Sequence, residues 1–174
     1  MSELLDLRSK IREVQDFPTP GVGFKDITPL LADHDALTQT IDELAAWVRG
    51  KAPDLVLGAE ARGFILGAAV AAAAECGFVP ARRPGKLPPE TVAATYVLEY
   101  GENALEVHPD LIPEGTRVVI HDDVLATGGT VEAIKGLVER LGGEVVGACF
   151  IIELTFLGGR ERLSGLDLHA LIDY

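Results

Sequence analysis

Cysteine is scarce: only Cys76 and Cys149 occur in 174 residues. Neither belongs to a CxxC pair, and neither has a histidine nearby at metal-ligand spacing, which leaves no disulfide framework and no zinc motif. His34, His108, His121 and His169 are likewise scattered. Both thiols read as small buried hydrophobes, and two such thiols suit a reducing, cytoplasmic setting. Cations are also in short supply, with 15 Lys and Arg against 27 Asp and Glu and a net charge of −12. That balance repels a phosphate backbone and argues against a nucleic-acid partner. Any phosphate the protein takes must enter a local pocket of donors. Long apolar runs are missing too. The longest, Phe64 to Ala74, is alanine-rich and interrupted by Gly67, too short and too weakly hydrophobic to cross a membrane. The first residues lack a signal-peptide core. There is no internal repeat and no low-complexity linker. With 48% apolar and 24% charged residues, the chain reads as one domain over 1–174 with a substantial core.

The apolar spacing gives the element order. Leu4, Leu7, Ile11 and Val14 predict an amphipathic helix over Glu3 to Val14, ended by Pro18 and Pro20. Phe17 to Pro29 reads as an irregular loop. Leu37, Ile41, Leu44 and Val48 predict a helix over Asp35 to Arg49. From there the pattern is α/β: a strand at Asp54 to Gly58, an all-round apolar and hence buried helix at Gly63 to Glu75, and a strand at Phe78 to Ala81. Arg82 to Glu90, with three basic groups, three prolines and a glycine, is a loop. Thr95 to Tyr100 and Ala104 to Val107 form a hairpin about Gly101-Glu102-Asn103. A strand at Arg117 to His121, a loop at Asp122 to Gly129, and a helix at Thr130 to Leu141 stopped by Gly142-Gly143 follow. Strands at Glu144 to Ile152 and Leu168 to Ile172 complete the order. This alternation predicts an α/β domain with a mostly parallel sheet flanked by helices.

The informative segment is VVIHDDVLATGGT, Val118 to Thr130. Ala126, Thr127, Gly128, Gly129 and Thr130 are small or hydroxylated, so successive backbone N–H groups can converge on one anion. The helix starting there adds its unpaired N–H groups and positive dipole end. A simple strand-to-helix turn would use similar residues. Asp122 and Asp123 favour the phosphate reading. Adjacent carboxylates at the end of a buried strand repel each other and are costly to desolvate. A vicinal diol or a magnesium ion would offset that cost, whereas solvated or helix-capping aspartates would need neither. A phosphate cradle beside diol-binding acids describes a ribose 5-phosphate site. It is not a nucleoside-triphosphate P-loop, because GxxxxGK[ST] is absent, nor a dinucleotide fingerprint.

Asp-Asp followed by Ala-Thr-Gly-Gly-Thr resembles the phosphoribosyl pyrophosphate signature of type I phosphoribosyltransferases. The resemblance implies an open α/β sheet, a mobile β-hairpin lid and a donor that brings magnesium with it, with no metal site built by the protein alone. It implies that Ala126, Thr127, Gly128, Gly129 and Thr130 hold the 5-phosphate, and that Asp122 and Asp123 hold the ribose hydroxyls.

Three further segments resemble the adenine-specific branch. FPTPGVGFKDITP, Phe17 to Pro29, is similar to its base-covering N-terminal hood (1–34 here), with Phe24 packing on the base and backbone near Lys25 reading its edge. Gly23 replaces a branched apolar residue and Lys25 an arginine. LGAEARGFILG, Leu57 to Gly67, places Arg62 at a helix mouth. A cation there opposes the helix dipole, which makes sense beside an anion such as the leaving pyrophosphate; an internal salt bridge to Glu60 or another acid would also account for it. Arg82 to Gly101, with RRPGKLP and TYVLEYG, resembles the lid (82–108 here). The resemblance implies that Arg82, Arg83 and Lys86 contact the donor, that Glu99 is the catalytic carboxylate, and that Pro84 replaces a charged residue. The bland alternative is a solvated charged loop. Leu154 is the expected apolar wall for the base. Ala126 stands where relatives using 6-oxopurines often carry Asp, which favours adenine.

The expected activity is transfer of the 5-phosphoribosyl group from phosphoribosyl pyrophosphate to adenine, giving AMP and pyrophosphate. The alternatives are another base-specific transferase, or a sensor that binds the ligand without turnover. The short stretch before Phe17 and the charge of −12 speak against a DNA-binding regulator. The resemblance also implies a homodimer in which Arg82 or Arg83 reaches the neighbouring site.

Overall fold

The computed structural model describes residues 5–98 and 101–174. A short 3-10 turn at Leu7–Lys10 leads into β1 (Arg12–Val14), β2 (Phe24–Asp26), α1 (Thr28–Ala32) and α2 (His34–Lys51). Then come β3 (Leu55–Ala59), α3 (Gly63–Ala73), β4 (Gly77–Ala81), and a hairpin of β5 (Val92–Leu98) and β6 (Gly101–Val107). The last elements are β7 (Arg117–Leu125), α4 (Gly129–Arg140), β8 (Glu144–Glu153), α5 (Gly159–Arg162) and β9 (Leu168–Asp173).

Five strands form the central sheet in the order β4-β3-β7-β8-β9, and every neighbouring pair is parallel. Both faces are covered, which is why these strands read as near-continuous apolar runs. On one face Val56, Val119 and Ile151 meet Leu44 and Val48 of α2 and Leu66 and Val70 of α3. On the other, Leu57, Ile120 and Phe150 meet Val131, Ile134 and Leu137 of α4. Each fully buried aliphatic side chain contributes roughly 1.5–3 kcal/mol. The contact of α3 with the sheet is so close that a Cβ at Gly63 would lie 2.8 Å from the His121 carbonyl oxygen. Glycine is the residue that permits this approach.

Two antiparallel ribbons stand outside the sheet, β1 with β2 and β5 with β6. The first corrects the predicted helix over Glu3 to Val14 from Leu5 onward, Glu3 and Leu4 lying outside the described residues. Asp6 accepts a hydrogen bond from Arg8 N at 3.1 Å, starting only a short 3-10 turn. Arg12 to Val14 then run extended beside Asp26 to Phe24. Helical spacing over so few residues is marginal on its own, and pairing with a distant segment overrides it. Phe17 to Pro29 is accordingly not all loop: it holds β2 and the start of α1. The hairpin strands are longer than expected, and Gly101 to Asn103 lie in β6 rather than in the turn.

The expectation that α3 is wholly buried is also corrected. Leu66, Gly67, Val70 and Ala71 face inward, but Ile65 is 51% exposed and Ala68 and Ala72 share its open face.

Candidate active site

β7 carries the site. The predicted loop from Asp122 to Gly129 is shorter than expected, because β7 continues through Asp122 and Asp123 to Leu125, paired with Phe150, Ile152 and Glu153 of β8. The two acids are therefore held on a rigid strand. Asp123 N donates to Asp122 Oδ1 at 2.9 Å. The Asp123 side chain is almost fully buried, and Asp122 is partly exposed to the cleft. Burial pushes the Asp122 carboxyl well above the usual carboxylate range, and the neighbouring Asp123 charge pushes it further. Burial also raises Asp123, against the pull of Arg62. In this environment both acids favour partners that donate hydrogen bonds.

The turn after β7 meets α4 at Gly128, whose φ of +81° is left-handed. No side chain caps α4. The contrast with α2 is direct, since Asp33 fills that helix's N-terminus by accepting from Asp35 N and Ala36 N. The first N–H groups of α4 are thus left for an outside acceptor. The turn is braced from behind by α5: a Cβ on Gly159 would overlap the Ala126 carbonyl, and Leu163 lies against Gly128.

Arg62, at the head of α3, comes from the neighbouring strand connection. Its Nε lies 3.0 Å from Asp123 Oδ2. The pair is ionic but poorly aimed, and Asp123 Oδ2 has no hydrogen bond. In the alternative, an internal salt bridge, Arg62 takes Asp123 and not Glu60. The Arg62 guanidinium also lies 5.1 Å from the Phe24 ring centroid, and Phe24 meets Phe17 edge-on at 5.1 Å.

A cleft of about 340 Å³ collects these groups. Phe24 and Lys25 of β2, Arg62, Asp122, Asp123, the turn from Ala126 through Thr130, and Leu154 all line it. Gly23, singled out in the sequence beside Phe24, also lines it, and Val22, Val124, Leu125 and Val131 complete the wall; as ordinary apolar positions those four gave no signal in the sequence. Leu154 follows β8 and is tied to β7 through its N–H to Leu125 O at 2.9 Å.

Arg82, Arg83 and Lys86 are not among the lining residues of this cleft. Arg82 Nε lies 3.1 Å and Arg83 Nε 3.3 Å from the Glu60 carboxylate, which also accepts from Arg83 N at 2.9 Å. Burial pushes the Glu60 carboxyl up, but these donors outweigh it and hold it below its usual range. Glu106 organises the rest of the loop. Its buried carboxylate accepts from Gly85 N at 3.0 Å, Leu87 N at 3.4 Å and Thr91 Oγ1 at 3.0 Å. Neither glutamate was recognisable in the sequence as a loop anchor, because each sits about 15 or more residues from its partners. The expected catalytic Glu99 lies outside the described residues.

Among the described residues no three His, Cys, Asp or Glu side chains cluster as a metal site. No helix among them is long and apolar enough to cross a membrane.

An uncapped helix N-terminus thus stands at the carboxyl end of a central parallel strand, directly after paired acids. The family model described as phosphoribosyl transferase domain matches residues 30–163. The adenine phosphoribosyltransferase of Desulfitobacterium hafniense is 54% identical over 98% of both chains. The solved adenine phosphoribosyltransferase of Thermoanaerobacter pseudethanolicus is 51% identical with a TM-score of 0.94, over 97% of this chain and 98% of that one. The Saccharomyces cerevisiae adenine phosphoribosyltransferase, solved with an imino-altritol bisphosphate and adenine, is 35% identical with a TM-score of 0.88, over 95% and 96%. This chain belongs to the adenine phosphoribosyltransferase family and has the type I phosphoribosyltransferase fold.

Proposed function

We propose that the protein transfers the 5-phosphoribosyl group of phosphoribosyl pyrophosphate to adenine, giving AMP and pyrophosphate. The observation that carries this reading is the uncapped α4 N-terminus directly beyond the Asp122–Asp123 pair, in one cleft with Arg62 and Phe24. The turn from Ala126 through Thr130 receives the 5-phosphate on backbone N–H groups, with the Thr127 and Thr130 hydroxyls beside it. Asp122 and Asp123 accept hydrogen bonds from the ribose hydroxyls and fix the sugar. Phe24 and Leu154 form the two apolar walls of the base slot, and backbone at Lys25 reads the base edge. Arg62 faces the leaving pyrophosphate.

In the reaction, the bond from ribose C1 to the pyrophosphate oxygen breaks and a bond from adenine N9 to C1 forms, with inversion. The transition state carries positive charge on the ribose. The N9 proton leaves the purine, and Glu99 is the carboxylate assigned to receive it. A divalent cation arriving on the diphosphate fits the site, because Asp123 Oδ2 is buried without a hydrogen bond; Asp122 and Asp123 would face it, and it would supply charge neutralisation of the leaving group. Arg82, Arg83 and Lys86 are assigned to the donor side of a lid spanning 82–108, and residues 1–34 to a hood over the base. The open face of Ile65, Ala68 and Ala72 on α3 supports a homodimer. The free thiols Cys76 and Cys149 fit a reducing cytoplasm.

The test is a product balance. The protein is incubated with phosphoribosyl pyrophosphate, magnesium and adenine, and AMP, pyrophosphate and ribose 5-phosphate are measured. Equal AMP and pyrophosphate is the expected result. Ribose 5-phosphate without AMP would replace transfer with hydrolysis and overturn the reading.

A further inference from the structure

The β1–β2 ribbon does not belong to the central sheet, so something else must set how far Phe24 stands from Leu154. The structure points to Tyr174, immediately after β9. Its ring faces two cations from the N-terminal segment. Lys25 Nζ lies 3.8 Å from the ring centroid, and the Arg8 guanidinium lies 4.6 Å from it. Arg8 also donates to the Asp173 carbonyl. Lys25 is mostly buried there and is paired with Glu13, its cross-strand neighbour.

The backbone of Tyr174 grips the opposite wall. Tyr174 N donates to Glu153 O at 2.8 Å, and Tyr174 O accepts from Thr155 N at 2.9 Å and Thr155 Oγ1 at 2.7 Å. Leu154 lies between those two anchors. One residue therefore holds both flanks of Leu154 through its main chain and the side chain of Lys25 through its ring. Successive strand side chains point to opposite faces, so a fixed Lys25 side chain also fixes the direction in which Phe24 points.

We infer that Tyr174 is a positioning residue that sets the width of the base slot by latching β2 to the segment carrying Leu154. This rests on the reading that the base sits between Phe24 and Leu154. The ring face is the working part. Cation–π attraction needs the aromatic quadrupole and not the hydroxyl.

The experiment compares wild type, Tyr174→Ala, Tyr174→Phe and Lys25→Met by amide hydrogen exchange and by steady-state kinetics. In Tyr174→Ala, exchange at Phe24 to Asp26 should quicken about tenfold while β7 is unchanged, and KM for adenine should rise about tenfold, the size of one or two partly buried cation–π contacts. KM for phosphoribosyl pyrophosphate should move less than about twofold, since the cradle does not touch Tyr174. Tyr174→Phe should restore both readouts, and Lys25→Met should reproduce the faster exchange. Wild-type exchange in Tyr174→Ala, or a Phe variant no better than Ala, would overturn the latch. A general loss of fold would quicken β7 as well and raise both KM values, which also counts against it. If the wild type makes no AMP, the functional reading falls, while the exchange data still decide the latch.

Discussion

Arg62 Nε stands 3.0 Å from Asp123 Oδ2, yet that oxygen receives no hydrogen bond. The arginine is thus close enough to offset the buried charge but keeps its donors free for an incoming anion. Arg62→Gln should lower kcat/KM on the order of 10²–10³-fold, the range seen when one stabilising donor is removed from a transition state. Arg62→Lys should recover only part of the loss, because a point charge cannot reproduce the planar fork. Steady-state kinetics with both substrates varied measure it. Wild-type kcat/KM in Arg62→Gln would remove Arg62 from the site.

Asp122 should cost the unliganded protein stability. Its folded pKa is raised from 3.8 by burial first and by Asp123 second. The sign follows: a raised carboxyl pKa favours the folded state at pH below the unfolded value, and that gain is lost as pH rises through the folded value. At neutral pH the buried Asp122 carboxyl, beside Asp123, is therefore a net burden on the fold. Asp122→Asn keeps an oxygen for Asp123 N and should unfold at higher urea near pH 7, by about 1–3 kcal/mol, with the difference narrowing toward about pH 4. Turnover should fall at the same time. Equal stability at both pH values would contradict the strained pair.

His121 acts in the opposite direction. It is fully buried, Nδ1 lies 3.1 Å from Cys149 O, and Nε2 has no partner. Burial lowers its pKa from 6.5 to about 4. Its contribution is therefore present above the unfolded value and is lost as pH falls between 6.5 and about 4. At ~1.4 kcal/mol per unit the loss is on the order of 3 kcal/mol. His121→Leu should flatten this part of the urea-midpoint profile between about pH 6.5 and 4.5. A variant as acid-sensitive as wild type would assign the loss elsewhere.

Glu106 holds the loop that carries Arg82, Arg83 and Lys86. Glu106→Ala strands the Gly85 and Leu87 N–H groups and the Thr91 hydroxyl, at a cost of about 1–3 kcal/mol. KM for phosphoribosyl pyrophosphate should rise more than KM for adenine. Glu106→Gln, which keeps an acceptor, should lie between. Equal shifts in both KM values would mean that the residue supports the fold in general rather than this loop.

The sequence made the site legible where its parts are contiguous. Val118 to Thr130 hold the strand, the acids and the turn in one stretch, and local chemistry suffices to read them. Arg62 was legible as an oddity at a helix head, but its partner was not, because Asp123 is distant in the chain and adjacent only through parallel pairing of β3 with β7. The continuation of β7 past His121 escaped for a related reason. Aspartates are poor strand formers, and only pairing with β8 keeps Asp122 extended. β1 and β2 are three residues each, too short for periodicity to outweigh the helical spacing of Leu7 and Ile11. Arg82 and Arg83 looked free because Glu60, their partner, is brought to them by the β3–β4 pair.

The most direct measurement is a competition among bases. The protein, phosphoribosyl pyrophosphate and magnesium are mixed with adenine, hypoxanthine, guanine, xanthine, orotate and uracil, and the nucleotides formed are resolved. AMP alone is the expected product. A preferred oxo-base would reassign the slot formed by Phe24, Leu154 and Ala126. No nucleotide from any base, with ligand still bound, would make the protein a sensor and contradict transfer to adenine.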